Sequence, residues 1–481
     1  MSDPKTLSYA SLSPNVKNCK YAVRGPIVIK ASEYQSRLRA GEKLPFSELF
    51  LCNVGNPHQL GQPPLSYNRQ VLACMMDKAL LTSGIYHKDV IERAKLHYSY
   101  IPSSGAYAES QGIRQVRENC AKFIERRDGF PSNPNHIFIT NGASDGIKNL
   151  LLCLIAENND GILIPVPRYP LYSAEIVLQG GQIVPYYLNE EKNWSLELFD
   201  LEDGYNTAKS KGISIKAIVI INPGNPTGAI LERENIEQII KFCYERRIVI
   251  IADEVYQHNV YDPKVEFISF KKVLFEMGAP YKDNVELASF HSVSKGVHGE
   301  CGLRGGYMEL VNIEEPIISE MVKLQSIILS SSVVGQLALD LLVSPPSKDN
   351  CSSETVESYE KEYQNLHNSL KKRAKIVTEY FNKMTNVSCK EVQGAMYAFP
   401  SLKFSQKVLE AAKLAGQLPD EFYCFQCLDE SGIVLVPGSG FGQRDGTYHL
   451  RITTLVYPED RMEYVMKLLT EFNEKFHKKY E

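Results

Sequence analysis

Between about residues 136 and 310, short β-branched apolar runs alternate with helix-length segments, and this alternation limits the possible folds more than any other feature. His136–Thr140, Ile162–Val166, Gln182–Leu188, Ile215–Ile221, Ile248–Asp253, Glu286–His291 and Arg304–Leu310 read as strands, and Asp145–Glu157 as a buried helix. Strands separated by helices must pair in parallel, within a sheet covered on both faces. The unbroken apolar runs Ala217–Ile221 and Ile248–Ala252 suit central strands, which bury both faces. The expected fold class is therefore α/β, with a large domain built on a mostly parallel seven-stranded sheet and a smaller α+β domain.

The smaller unit is read from the C-terminal third. Pro316 suits a first helical turn, and one long helix is expected from there to about Leu342. Ser344-Pro345-Pro346-Ser347 then breaks the chain. Val356, Tyr359, Tyr363, Leu366, Leu370, Ala374, Val377 and Phe381 follow at steps of three and four, which predicts an amphipathic helix. Ala395–Phe399, Gly432–Val436 and Tyr448–Thr453 read as strands. The expected division is an N-terminal arm with part of the small domain (1–90), a large α/β domain (91–335) and a C-terminal small domain (336–481).

Composition excludes several functions. With 53 Lys+Arg against 57 Asp+Glu, the net charge of −4 offers no basic footprint for nucleic acid or an anionic membrane. No apolar run reaches the roughly eighteen residues that a membrane span needs. The N-terminus carries Asp3, with no apolar stretch after its first lysine and little arginine. The expected location is therefore cytoplasmic, with the mitochondrion left open. Eleven irregularly spaced cysteines read as reduced thiols, and the Cys424/Cys427 pair lacks the second ligand pair of a zinc site, so no metal is expected.

In open α/β sheets ligands bind beyond the carboxyl ends of the strands, and several candidate strands deliver chemistry there. Asn141-Gly142-Ala143-Ser144-Asp145 opens a helix, whose free N–H groups suit a phosphate. Asn222-Pro223-Gly224-Asn225-Pro226-Thr227-Gly228 is a rigid turn that aims Asn225 over the sheet edge. Asp253, after five apolar residues, is costly to bury unless a cation or strong donor meets it. Ser292-Val293-Ser294-Lys295 follows another strand, with Arg304 nine residues later. A phosphate seat, a buried acid and a lysine together suit pyridoxal 5'-phosphate, held as a Schiff base on the lysine with the acid on its ring nitrogen. Desolvation and neighbouring cations favour the neutral, nucleophilic form of such an amine.

These residues resemble the fold-type I, class I/II pyridoxal-phosphate-dependent aminotransferases, and among them the alanine branch. The resemblance spans nearly the whole chain, through Asn53-Val54-Gly55-Asn56-Pro57, Gly142-Ala143-Ser144-Asp145-Gly146, Pro167-Arg168-Tyr169-Pro170, His291-Ser292-Val293-Ser294-Lys295, Gly299-Glu300-Cys301-Gly302, Gln393-Gly394-Ala395-Met396-Tyr397 and Val436-Pro437-Gly438-Ser439-Gly440-Phe441-Gly442-Gln443. It implies that Lys295 carries the cofactor and transfers the proton. It also implies that Asp253 keeps the ring nitrogen protonated, and that Tyr256 and Asn225 bind the phenolic oxygen. Ala143, Ser144, Ser292 and Arg304 would hold the phosphate, and Tyr169 would stack on the ring. Tyr107, in a Tyr-x-x-x-x-Gly pattern, would reach the phosphate of a neighbouring subunit, which requires a homodimer with shared sites.

For the substrate, the resemblance implies that Arg451 grips the carboxylate, alongside Asn225 and the backbone of Gly55. The implied reaction moves the amino group of L-alanine to 2-oxoglutarate, giving pyruvate and L-glutamate by a ping-pong route through pyridoxamine phosphate. The implied partners are thus small amino acids and 2-oxo acids. Lyases of the aminocyclopropane-carboxylate synthase type and aromatic or kynurenine aminotransferases share Lys295, Asp253 and Asn225, so those residues do not separate them. A ligand sensor built on the same fold would need an added DNA-binding segment or a lost lysine, and the sequence has neither.

Overall fold

The computed structural model describes residues 6–21 and 25–481. Its larger sheet contains β1 (Ile137–Asn141), β2 (Asp160–Val166), β3 (Gln182–Asn189), β4 (Ser195–Leu196), β5 (Ser214–Ile221), β6 (Val249–Asp253), β7 (Leu287–Ser292) and β8 (Gly305–Val311), in the order β1-β8-β7-β6-β5-β2-β3-β4. The seven expected strands are all present, and the two-residue β4 adds an eighth at the edge. β3, β2, β5, β6 and β7 pair in parallel, whereas β8 runs antiparallel to both β7 and β1. β1, β5, β6 and β7 therefore present their carboxyl ends at one edge. Because β8 is reversed, the residue that precedes it, Arg304, arrives at that same edge. Residues of β2, β6 and β8 are buried along their entire length, consistent with helices on both faces.

The C-terminal part forms a small antiparallel sheet from β9 (Val387–Ser388), β10 (Tyr397–Ala398), β11 (Ser401–Leu402), β12 (Val436–Pro437) and β13 (Tyr448–Thr453), with β13 at its centre. The amphipathic helix spans Ser353–Phe381 and begins where the Ser352 side chain accepts the Thr355 N–H. It buries Val356, Leu366, Leu370, Ala374 and Val377, and packs on the terminal helix Glu459–Lys479.

One expectation is corrected. The chain from Pro316 to Leu342 is two helices, Glu315–Ser326 and Val333–Val343. Leu329 adopts a left-handed φ of 68° in the break, and Ser332 caps the second helix by accepting the Gly335 N–H. The interruption turns the second helix so that Gly335 lies against the backbone of Arg304 and Gly305, where a Cβ would stand 2.5 Å from the Leu303 carbonyl. It also lets the Ser332 N–H donate to Asn141 Oδ1 at 2.8 Å, at the end of β1. Tertiary contacts thus override a stretch whose composition favours one continuous helix. The expected boundary at residue 335 falls inside this second helix.

That helix is pinned by a buried charge cluster. Asp340 accepts from Arg93 (2.8 Å) and Asn119 (2.7 Å) and contacts His97 Nε2 at 2.9 Å, with the His97 and Asp340 side chains fully buried. Burial raises the Asp340 pKa, but His97 and Arg93 outweigh it and hold the carboxyl below its ordinary value. A carboxyl with a depressed native pKa stabilises the fold above its unfolded value of about 3.9, and this contribution is lost as pH falls through the native value. Asp340→Asn leaves Arg93 buried without its counter-charge and is expected to cost about 3–5 kcal/mol. Denaturant unfolding of the variant against the parent at neutral pH measures this, and the difference should shrink in acid.

Candidate active site

β6 ends at Asp253, which is 5% exposed. Successive strand residues point to opposite faces, and the two adjacent acids separate accordingly. Asp253 accepts the Tyr172 hydroxyl at 2.8 Å, whereas Glu254 accepts the Phe270 N–H at 2.9 Å and lies 3.6 Å from Arg127. Burial raises the Asp253 pKa against the lowering effects of the Tyr172 hydroxyl, the Val255 N–H and the charge of Lys295. Burial likewise pushes Glu254 up to about 7, opposed by Arg127 and the Phe270 N–H. Burial thus outweighs the Tyr172 hydroxyl, the Val255 N–H and the charge of Lys295.

Lys295 lies in the turn after β7. Ser292, buried at the end of that strand, accepts the Ser294 N–H, and Asn259 accepts the Gly296 N–H at 2.8 Å, so both sides of the lysine are tied down. The Lys295 amine donates to the Gly55 carbonyl at 3.0 Å and stands 5.9 Å from the centre of the Tyr256 ring. Tyr256 is itself buried, and burial holds its phenol well above the ordinary pKa.

A second corner forms where β1 meets β8. Gly142, with a left-handed φ of 74°, turns the chain into the helix Ala143–Leu154, and no side chain caps that helix end. Arg304 donates to the Asn141 carbonyl (2.7 Å) and to the Ser144 hydroxyl (3.1 Å). A Cβ on residue 142 would stand 2.5 Å from the guanidinium, so a larger residue there would push Arg304 aside, and the left-handed φ disfavours it as well. An uncapped helix N-terminus carrying Ala143 and Ser144, flanked by a guanidinium, is a seat for an anion.

The third corner comes from segments far apart in sequence. Arg451, on β13 and 1% exposed, donates to Asn225 Oδ1 (3.2 Å) and to the Asn53 carbonyl (2.7 Å). Its buried Nε has no partner among the described residues, and its guanidinium lies over the rings of Tyr397 (4.1 Å) and Phe441 (4.7 Å). A planar cation with an unfilled donor and no carboxylate beside it suits an incoming carboxylate.

The chain thus brings Lys295, Asp253, Tyr256, Asn225, Arg451, Gly55, Ser292, Ala143, Ser144 and Arg304 to one edge of the large sheet. Tyr169 precedes the helix Pro170–Leu178, and its hydroxyl lies 3.1 Å from that of Tyr21, from the N-terminal arm. Tyr107 is not brought in: its side chain is 78% exposed. Tyr172, Tyr21 and Tyr397 were not singled out from sequence. Tyr172 and Tyr397 lie in or beside stretches that carry the resemblance, whereas Tyr21 has no such signal.

The donor set matches a phosphorylated aldehyde with a basic ring nitrogen. The amine of Lys295, the under-neutralised acid at Asp253 and the anion seat beside Arg304 supply one complementary group for each part of such a cofactor, and the residues fit it.

Comparison with known proteins agrees. The family model "Aminotransferase class I and II" matches residues 76–469. Glutamate–glyoxylate aminotransferase 1 of Arabidopsis thaliana is 47% identical, covering 99% of this chain and 98% of its own. Alanine aminotransferase 1, mitochondrial, of the same plant is 46% identical (98% and 87%), and alanine aminotransferase 1 of Homo sapiens is 44% identical (99% and 96%). Among solved structures, an alanine aminotransferase from Pyrococcus furiosus superimposes with a TM-score of 0.74 at 24% identity, covering 96% of this chain and all of that one, a likeness of fold. The family match and the full-length relatives place this chain in the class I and II aminotransferases, enzymes that depend on pyridoxal phosphate.

Proposed function

We propose that this aminotransferase exchanges an amino group between L-alanine and 2-oxoglutarate, giving pyruvate and L-glutamate. The observation that carries the reading is full-length identity of 44–46% to enzymes named alanine aminotransferase.

In this reading Arg451 grips the α-carboxylate through two parallel hydrogen bonds and so fixes the direction of the α-C–H bond. Bound pyridoxal phosphate supplies an electrophilic carbonyl and an electron-withdrawing ring. Asp253 keeps a proton on the ring nitrogen, while Asn225 and Tyr256 hydrogen-bond the phenolic oxygen. Ala143, Ser144, Ser292 and Arg304 hold the phosphate, and Tyr169 walls the ring face. The Lys295 amine would serve as the base that takes the proton from the substrate's α-carbon, and as the ammonium that gives it back. Asp253 would be the acid that pairs with a protonated ring nitrogen of the bound cofactor.

We read the catalytic unit as a homodimer with shared sites. Tyr107 lies beside an exposed apolar stretch: Ser110 donates to the Leu329 carbonyl, and Ile327, Ile328 and Leu329 are 75%, 45% and 51% exposed. Contiguous exposed apolar surface of this kind supports an interface. The division between large and small units is placed after the helix Val333–Val343, in the Pro345-Pro346 segment. Eleven free cysteines support a reducing compartment, read as the cytosol.

A second reading rests on the Arabidopsis glutamate–glyoxylate aminotransferases at 47% and 48% identity. Glyoxylate is pyruvate with hydrogen in place of methyl, and a pocket discriminates one such group by about 1–3 kcal/mol. With glutamate as donor, kcat/KM for pyruvate is expected to exceed that for glyoxylate by about tenfold or more. The reverse order would transfer the assignment to the second reading.

Two variants test the machinery. Lys295→Ala is expected to lower turnover by at least about 10²–10⁴-fold with unchanged circular dichroism, and retained activity would contradict the mechanism. Mixing Lys295→Ala with Tyr107→Ala subunits should restore about one parental site in four if sites are shared between subunits. Absence of recovery in demonstrably mixed dimers would contradict that sharing.

A further inference from the structure

We propose that Tyr397 is a positioning residue that holds the amine of Lys295 and the guanidinium of Arg451 in fixed relation, through two separable parts of its side chain. The inference rests on the roles proposed above for those two residues and adds a third that sets them.

β10 pairs with β13 so that Tyr397 stands opposite Thr453, two residues beyond Arg451. Residues two apart on a strand share a face, and the Tyr397 ring accordingly lies under the guanidinium, 4.1 Å from its central carbon. A cation over a desolvated aromatic face is held electrostatically and cannot swing away without losing that contact.

The hydroxyl reaches the other cation. Gly55 lacks a positive φ, so its backbone conformation does not demand glycine. Space does: a Cβ at residue 55 would stand 1.9 Å from the Tyr397 hydroxyl oxygen and 3.2 Å from the Lys295 amine. The phenol and the amine therefore share one notch, opened by the missing side chain, and the amine is anchored there by the Gly55 carbonyl at 3.0 Å. Tyr256 closes the notch edge-on, with ring centres 6.2 Å apart and an interplanar angle of 81°. Tyr397 is 3% exposed, so water does not screen these interactions.

Two cations, Lys295 and Arg451, bear on the phenol, with the Tyr256 hydroxyl beside it and the Cys301 thiol acting in the opposite sense. Burial alone would raise its pKa, but Lys295, Arg451 and the Tyr256 hydroxyl outweigh burial and hold it below the ordinary phenol value. The phenol oxygen is thus part of the polar surroundings of the nitrogen of residue 295, and removing it changes them.

Tyr397→Phe keeps the ring and deletes the hydroxyl, whereas Tyr397→Leu deletes both. In the cofactor-loaded enzyme, Tyr397→Phe is expected to displace the midpoint of the absorbance–pH profile from that of the parent. It should also lower kcat more than it raises KM, and leave the dissociation constant for propionate, an unreactive carboxylate, within twofold of the parent. Tyr397→Leu is expected to weaken propionate about tenfold as well, because Arg451 loses its support. An unmoved midpoint in Tyr397→Phe, or equal propionate affinity in Tyr397→Leu with the fold intact by circular dichroism, would overturn the proposal. Failure of the Lys295 assignment would look different: the Lys295→Ala enzyme would remain active whatever Tyr397 does.

Discussion

A carboxylate sealed from water at the end of five apolar residues is the constraint on which the rest of this molecule depends. Burying Asp253 without compensation would cost several kcal/mol or force it to take up a proton. The chain offers it the Tyr172 hydroxyl, the Val255 N–H and the charge of Lys295, and burial still raises its pKa. That residual demand suits a partner that brings its own positive hydrogen, as a protonated ring nitrogen does. In the function proposed above, a bound cofactor would complete the pairing of this acid.

The parallel sheet makes such an arrangement possible. Strands running the same way bring their outgoing loops to one edge, and the reversed β8 adds Arg304 to that edge. The remaining parts come from afar: Gly55 lies 240 residues from Lys295, and Arg451 reaches Asn225 across 226 residues. One hydrophobic core cluster contains residues from Ile27 to Phe476, so the N-terminal and C-terminal segments that bear Gly55 and Arg451 are packed into a common interior. A site assembled from such separated segments owes its accuracy to that packing and to no single loop.

Much of this was legible in the sequence, for physical reasons that also mark the limits. Strands such as Ser214–Ile221 and Val249–Asp253 announce themselves because burial on both faces demands continuous apolar residues. Charged or rigid residues at their ends stand out against that background, which is how Asp253, Asn225 and Lys295 are found. The break at residues 327–332 was hidden because its cause is tertiary, the fit of Gly335 against the start of β8. β4 is two residues long and has no periodicity to read. Tyr397, Tyr172 and Tyr21 were passed over because a tyrosine in an apolar stretch looks like core, and only its partners reveal a polar task. Tyr107 is 78% exposed, and its expected role involves a neighbouring subunit, so the fold of one chain does not test it.

The central claim is that the amine of residue 295, facing the buried acid at 253, holds the cofactor covalently. Borohydride reduction of the cofactor-loaded enzyme, followed by peptide mass mapping, tests it most directly. The account predicts one pyridoxyl adduct per chain, on the peptide containing Lys295, and none in Lys295→Ala. An adduct on another lysine in the parent enzyme, or undiminished labelling of the Lys295→Ala variant, would contradict it.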